Sequence, residues 1–175
     1  MNILFIINDS FEEIETTAPY DILKRAGLNP TIASNKTKAI GAHGLELSNL
    51  SKIDEINYKD FDMLILPGGP QWKNNINDNK YIEIMSYFAE NKVVAAVCAS
   101  PTLLGANGYL KGKTYTCFPP MNADFAGNFT GSAAETSGNI ITGRGAGSSL
   151  EFGFEIVRYI FGPEKVSSLK QSMFF

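Results

Sequence analysis

Cys98 is the side chain of this sequence best placed for covalent chemistry. It follows the apolar run Val93–Val97, whose small and β-branched residues predict a strand buried on both faces of a parallel sheet. Pro101 favours the first turn of a helix and Ser100 can cap that helix, so Cys98 is predicted to lie on a tight strand-to-helix turn. Such a nucleophile elbow directs the side chain toward free amides, and we expect thiolate character there. The alternative interpretation is a small buried hydrophobic residue.

Glu15 is the second candidate for chemistry. The stretch Ser10–Glu13 matches a capping box, which predicts a helix with Ser10 as its N-cap that ends near Gly27. Glu15 occupies a position on the otherwise apolar face formed by Phe11, Ala18 and Ile22. We expect a carboxyl that faces the core; the alternative is a flanking residue that reaches water. Beside a thiol, an ionised Glu15 would raise the thiol pKa, whereas a protonated one could donate a hydrogen bond to the thiolate. The two groups would then titrate as a coupled pair.

Activation of the cysteine needs more than a helix N-terminus. Lowering its pKa from about 8.5 to about 5.5 requires roughly 4 kcal/mol, whereas a helix start supplies about 0.3 to 1 kcal/mol. His43 is the sole histidine and lies in a Gly-Ala-His-Gly turn far upstream, which makes it a further candidate base. The two cysteines, Cys98 and Cys117, and this histidine lack the spacing of a zinc site, so no metal is expected.

Strands and helices alternate along the chain, which predicts a single α/β domain over residues 1–175 with a mostly parallel sheet. Strands are predicted at 2–7, 30–34, 44–48, 61–66, 93–97, 113–118, 133–137 and 139–142, with polar turns at 35–38 and 71–80. Later helices are predicted at 81–91, 102–110, 149–160 and 163–173. Ligands bind such sheets at the carboxyl ends of the strands. Cys98, the pair Gly68 and Gly69, and the segment from Ser10 to Glu15 should meet there.

Composition and motifs exclude several classes of function. The net charge is −3 with no basic cluster, which argues against nucleic-acid binding. No apolar run approaches the roughly 20 residues of a membrane span, and the start lacks a basic signal-peptide region. Gly143–Gly147 lacks the third glycine of a dinucleotide fingerprint, so no nicotinamide or flavin cofactor is expected. Free thiols favour a cytoplasmic location.

Four stretches of the chain together resemble the ThiJ/PfpI superfamily: Asp9–Thr16, Leu66–Gly69, Ala96–Pro101 and Thr142–Phe152. The last stretch is similar to the branch that contains the Parkinsonism-associated protein deglycase and bacterial ThiJ-like proteins. This resemblance implies a flavodoxin-like three-layer α/β/α sandwich that forms a homodimer. It also implies that Cys98 is the elbow cysteine, bonded to Glu15, and that a pocket at Gly68 uses the amides of Gly69 and Ala99 to bind an oxyanion.

The resemblance implies cofactor-free action on reactive aldehydes, either glyoxalase-like conversion of methylglyoxal or removal of early glycation adducts. The alternatives are a redox sensor or chaperone-like stress protein that uses Cys98 oxidation without turnover, and a PfpI-type peptidase or amidotransferase-like hydrolase. The chain departs from the family at Phe118, where many relatives carry histidine, and at Ala99, where the hydrolases require one. Proton transfer would fall to Glu15, or to His43 if it reaches the pocket. Phe118 and Arg144 are further candidate pocket residues.

Overall fold

A seven-stranded sheet forms the centre of the protein. The computed structural model describes residues 1–175. The strands are β1 (Ile3–Ile6), β2 (Thr31–Ser34), β3 (Lys38–Ile40), β4 (Glu46–Ser48), β5 (Ser51–Lys52), β6 (Met63–Leu66), β7 (Val93–Val97), β8 (Thr114–Tyr115), β9 (Asn128–Phe129), β10 (Ala134–Ser137) and β11 (Ile140–Gly143). The central order is β10-β11-β7-β6-β1-β2-β5, and every neighbouring pair is parallel except β10 and β11. β3 pairs with β4, and β8 with β9, in two small outer sheets.

Helices cover both faces of this sheet. They are α1 (Glu13–Arg25), α2 (Trp72–Asn75), α3 (Asn79–Asn91), α4 (Ser100–Ala106), α5 (Ser149–Phe161) and α6 (Pro163–Ser172). A membrane span needs a length and an apolar character that no helix of this fold combines. One apolar core contains residues of α3 and α4, and the other contains residues of α1, α5 and α6. This is the flavodoxin-like three-layer sandwich that the resemblance implied.

The central strands are buried on both faces because their residues alternate between the two cores. In β1, Leu4 and Ile6 belong to the core with α3 and α4, while Ile3 and Phe5 belong to the core with α1, α5 and α6. β7 is buried along its whole length. Period-2 alternation in a strand covered on both sides requires apolar residues at every position. The continuous apolar runs in the sequence therefore predicted these strands correctly.

The predicted helix caps are wrong at both α1 and α4. Ser10 adopts a left-handed φ of 68° before the helix, and Glu12 caps α1 by accepting a hydrogen bond from Glu15 N at 3.0 Å. Ala99 precedes α4, and the Ser100 hydroxyl instead donates to Pro67 O at 2.8 Å. In both cases a hydrogen bond to a residue distant in sequence replaces the predicted capping role of the serine.

Several other predicted boundaries also differ from the structure. The predicted turn at 35–38 overlaps β3, and the predicted loop at 71–80 contains α2 and the start of α3. The predicted strand at 113–118 is paired only over β8, because beyond it Thr116 N donates to Thr142 Oγ1 and Phe118 N donates to Cys98 O. α4 ends at Ala106 rather than residue 110, and neither β5 nor β9 was predicted.

Candidate active site

Cys98 lies on the predicted turn between β7 and α4. Its φ is 64°, a left-handed conformation that is unfavourable for a residue with a side chain. The neighbouring strands hold it there, because Cys98 N donates to Gly143 O at 3.0 Å and Cys98 O accepts from Phe118 N at 2.8 Å. Pro101 lies in the first turn of α4. The elbow is therefore present, with a partly buried thiol at its tip.

Glu15 is a completely buried carboxyl on the first turn of α1. Its Oε2 accepts a hydrogen bond from Gly68 N at 2.8 Å, whereas Oε1 has no hydrogen-bond partner. Burial raises the pKa of Glu15 to about 7, and the interactions with Cys98 and the Gly68 amide offset only part of that rise. A carboxyl with this pKa can both accept and donate a proton near neutral pH.

The glycine pair after β6 lets the backbone lie between these two groups. A Cβ at Gly68 would be 2.7 Å from both Cys98 Cβ and Glu15 Oε2, and Gly69 has a φ of 89°. The backbone N–H groups of Ala99 and Gly69 interact with the Cys98 sulfur and lower its pKa. Two amides therefore lower the pKa of the thiol, and a third donates a hydrogen bond to the carboxylate.

Cys98 lacks the expected thiolate character while Glu15 is ionised, as the sequence predicts for a thiol beside an ionised carboxyl. Burial is the largest effect, and together with the charge and hydrogen bond of Glu15 it raises the pKa of Cys98 to about 12 despite the two amides. Two of these three effects disappear when Glu15 holds a proton. The thiol and the carboxyl therefore titrate as a pair, and the proton that leaves one is available to the other.

An open pocket of about 450 Å³ lies beside the elbow. Phe118, Arg144 and Gly145 are among the residues that line it, and a Cβ at Gly145 would lie 3.9 Å from Cys98 Sγ. Phe118 is 41% exposed. The Arg144 guanidinium donates to Gly131 O at 3.1 Å and is the one charged group of the lining. The pocket therefore lies next to the sulfur at Gly145, although Cys98 is not one of its lining residues.

Comparison with known proteins identifies the family. The model of the DJ-1/PfpI family matches residues 1–159. This chain belongs to the DJ-1/PfpI family. Protein dj-1beta of Drosophila melanogaster is 29% identical over 97% of this chain and 95% of its own length. The crystal structure of Drosophila melanogaster DJ-1beta superposes with a TM-score of 0.86, at 28% identity, and the superposition covers 99% of this chain and 97% of the crystallised chain.

Other relatives cover different shares of the chain. DJ-1 homolog B of Arabidopsis thaliana is 35% identical over 97% of this chain, which spans 40% of that protein. A deglycase of Pyrococcus abyssi is 35% identical over 71% of this chain and 76% of its own length. The match to the family model and the superposition both include the segments that carry Glu15, the glycine pair and Cys98.

His43 does not reach this DJ-1/PfpI-type site. Its ring is 76% exposed and its Nδ1 lies 2.8 Å from Glu13 Oε2, an interaction that raises the pKa of His43. No effect of His43 contributes to the pKa of either Cys98 or Glu15. Ligand atoms of Glu12, Glu13 and His43 lie within 4.8 Å of one another. The cap of α1 and the Glu13–His43 pair account for that cluster without a metal ion.

Gln71 was missed in the sequence, where Ser100 was given a different role, that of a helix cap. Gln71 is completely buried and bonds to the backbone of Pro67 and Gly68, and Ser100 donates to Pro67 O. Gln71 lies in a stretch of polar residues that is typical of an exposed loop, so the sequence contains no signal of its burial.

Cys117 is a second free thiol, completely buried, and burial raises its pKa to about 11.

Proposed function

We propose that this protein is a cofactor-free enzyme that converts small reactive aldehydes, such as methylglyoxal, or glycated groups, with Cys98 as nucleophile and Glu15 as proton carrier. The observation that carries the proposal is the buried Glu15 carboxyl, with one unpartnered oxygen and a pKa near 7, beside a cysteine on an elbow. The name deglycase on relatives such as the Pyrococcus abyssi protein supports the same class of substrate.

The first step is addition of sulfur to the aldehyde carbon. The Cys98 thiol is protonated at neutral pH because its pKa is high while Glu15 is ionised. Glu15 takes the thiol proton as the C–S bond forms, which avoids a free thiolate in the resting enzyme. Glu15 then passes this proton to the aldehyde oxygen, which gives a hemithioacetal and leaves Glu15 ionised again. The amides of Gly69 and Ala99 are proposed to stabilise the negative charge that develops on that oxygen.

The second step moves a hydrogen within the bound substrate. Ionised Glu15 removes the proton from the former aldehyde carbon and passes it to the oxygen of the adjacent carbonyl, which gives an enediol. It then takes the hydroxyl proton of the first carbon and delivers it to the second carbon, which gives a thioester. The first carbon is thereby oxidised and the second reduced, so no external oxidant is needed. Water then hydrolyses the resulting thioester, which releases a hydroxy acid and restores the thiol. Glu15 performs the proton transfers because His43 is remote and Phe118 carries no titratable group.

The test is turnover of methylglyoxal to lactate by purified protein. Cys98→Ser should abolish turnover, because the serine hydroxyl is a much weaker nucleophile, and Cys117→Ser is the matched control. The buried Cys117 does not belong to the pocket, so the control should retain activity provided that it folds. Undiminished turnover in Cys98→Ser would refute the mechanism. Absence of turnover in the wild type would refute the enzymatic proposal.

A second candidate function is redox sensing at Cys98. The observation that favours it is the pair of amides at the sulfur, which could equally bind the oxygens of a sulfinate formed by peroxide. Peroxide supplies the oxygen atoms, and two equivalents are needed per sulfinate. Mass spectrometry after peroxide treatment distinguishes the functions: a sensor gains two oxygens at Cys98 at low peroxide and shows no aldehyde turnover.

A homodimer and a cytoplasmic location complete the proposal. Large apolar side chains remain exposed at Ile14, Ile40 and Leu45, each 45 to 47% accessible, near the start of α1 and in the β3–β4 hairpin. Exposed apolar residues of this kind favour contact with a second copy. The two free cysteines favour a reducing compartment. Analytical ultracentrifugation of the wild type and of Ile14→Lys tests the dimer, since the charged variant should dissociate.

A further inference from the structure

Gln71 is a completely buried amide whose side-chain groups are all bonded to backbone. Nε2 donates to Pro67 O at 2.9 Å and to Gly68 O at 2.8 Å, and Oε1 accepts from Asn8 N at 2.7 Å. A primary amide has two N–H donors, so both are used here. Gln71 therefore joins the turn that follows β6 to the end of β1.

The two carbonyls that Gln71 binds belong to the peptide groups of the active site. Pro67 C=O shares a peptide plane with Gly68 N–H, which donates to Glu15 Oε2 at 2.8 Å. Gly68 C=O shares the next plane with Gly69 N–H, which interacts with the Cys98 sulfur. In a planar trans peptide the C=O and N–H bonds point in opposite directions. A group that holds both carbonyls on one side consequently aims both N–H groups at the other.

We propose that Gln71 is a positioning residue that orients the Gly68 and Gly69 amides toward the Glu15 carboxyl and the Cys98 sulfur. Its two hydrogen bonds fix the planes of both peptide groups and also polarise them, which strengthens each N–H as a donor. Through Asn8 it ties those planes to the segment that leads from β1 into α1, the helix on which Glu15 lies. One side chain thus sets the geometry of both reacting groups without touching either.

The neighbouring contacts indicate that the turn survives without Gln71 but loses its fixed orientation. Ser100 Oγ also donates to Pro67 O at 2.8 Å, and Glu12 N donates to Gly68 O at 3.2 Å. Each carbonyl therefore keeps one partner when the amide is removed, and only Asn8 N loses its side-chain partner. Gln71 accordingly affects the direction of the two peptide groups more than the existence of the turn.

The experiment replaces Gln71 by methionine, which has similar length and no comparable hydrogen bonds. Lys73→Met is the matched control, because this exposed residue lies on α2, the short helix that begins directly after Gln71. Gln71→Leu is measured in parallel so that the result does not depend on the packing of one variant. The first readout is the rate of iodoacetamide alkylation of Cys98 at pH 9.5, where Glu15 is ionised. The second is the pKa of the Glu15 carboxyl, followed by carbon NMR.

The Gln71 variants should alkylate Cys98 more slowly by about tenfold, the factor that corresponds to one lost hydrogen bond. The pKa of Glu15 should rise, because Gly68 N no longer stabilises its charge, and Lys73→Met should match the wild type. Cys117 in the same samples should stay unreactive. Unchanged Cys98 rates and an unchanged Glu15 pKa would overturn the proposal, as would equal reactivity of Cys117, which would make Gln71 a general structural residue.

The proposal rests on the proposed function only in treating Cys98 as the reacting group. Alkylation and NMR measure the thiol and the carboxyl directly, without any aldehyde. The positioning role can therefore fail while turnover is observed, and it can hold in a protein that proves to have no turnover.

Discussion

Replacing Glu15 by glutamine should raise the rate at which Cys98 is alkylated and lower the rate at which aldehyde is turned over. The charge and hydrogen bond of Glu15 are the second and third largest effects that raise the pKa of Cys98, after burial. A neutral amide removes both effects and leaves the Ala99 and Gly69 amides in place. The thiol should become more acidic and alkylate faster. Aldehyde turnover should nevertheless fall, because the proton carrier of the proposed mechanism is gone.

The size of the expected increase in alkylation rate follows from the short range of the interaction between the Glu15 charge and the Cys98 thiol. A full charge within about 4 to 6 Å shifts a pKa by about 1 to 3 units. Each unit multiplies the thiolate fraction by about ten at any pH below the thiol pKa. At pH 8 the alkylation rate of Cys98 in Glu15→Gln should therefore exceed that of the wild type by at least about tenfold.

The assay is alkylation by iodoacetamide from pH 6 to 10, with Cys98 and Cys117 quantified separately by mass spectrometry. Cys117 is an internal control, because its pKa is raised by burial and not by Glu15. Glu13→Gln is the matched variant, since Glu13 is a carboxyl on the same helix that does not contribute to the pKa of Cys98. Methylglyoxal turnover is measured on the same samples.

An alkylation rate in Glu15→Gln equal to or below that of the wild type at every pH would refute the coupling of these two groups. A faster rate together with undiminished turnover would preserve the coupling but remove Glu15 from the mechanism. Faster alkylation of Cys117 in the variant would show that the substitution had loosened the core instead.

Three further predictions follow from the same geometry. Burial raises the pKa of Glu15 from 4.5 to about 7, so the folded protein keeps a proton that the unfolded chain loses in that range. This group should lower the free energy of unfolding by up to about 3 kcal/mol as pH rises from 4.5 to 7. The free energy of unfolding of Glu15→Gln, measured with urea, should lack this pH dependence. Gly68→Ala should reduce the free energy of unfolding by about 1 to 3 kcal/mol and impair turnover, because its Cβ would meet Cys98 and Glu15; Gly147→Ala, in open space, is the thermal-unfolding control. His43→Ala should change methylglyoxal turnover by less than about twofold, as expected of an exposed side chain; a large loss would return His43 to the site.

The sequence was informative where chemistry and local pattern coincide. Cys98 could be placed on an elbow because a fully apolar strand and a proline-led helix flank it. Glu15 could be placed in the core because one helical face is otherwise apolar, and the glycine pair could be recognised as a close backbone approach. The order of these segments also sufficed to recognise the superfamily.

The capping box failed for a physical reason. A serine three residues before a glutamate is a local signal, but Ser10 N donates to Ile40 O and Glu13 binds His43, both more than 29 residues away. These contacts form only when the β3–β4 hairpin packs against the start of α1. The local preference is then outweighed, and Glu12 takes the cap.

The sequence by itself determined which residues can react and on which elements they lie, since hydrophobic periodicity and turn chemistry are local properties. Only the tertiary structure decided their protonation. A pKa depends on desolvation and on charges brought together by folding, and burial of Cys98 beside an ionised Glu15 raises the pKa of the thiol, which is one of the two outcomes that the sequence left open. The tertiary structure also decided the role of Gln71. Its two carbonyl partners lie three and four residues upstream in the chain, but their function depends on Glu15 and Cys98, which only the folded sheet brings to the same turn.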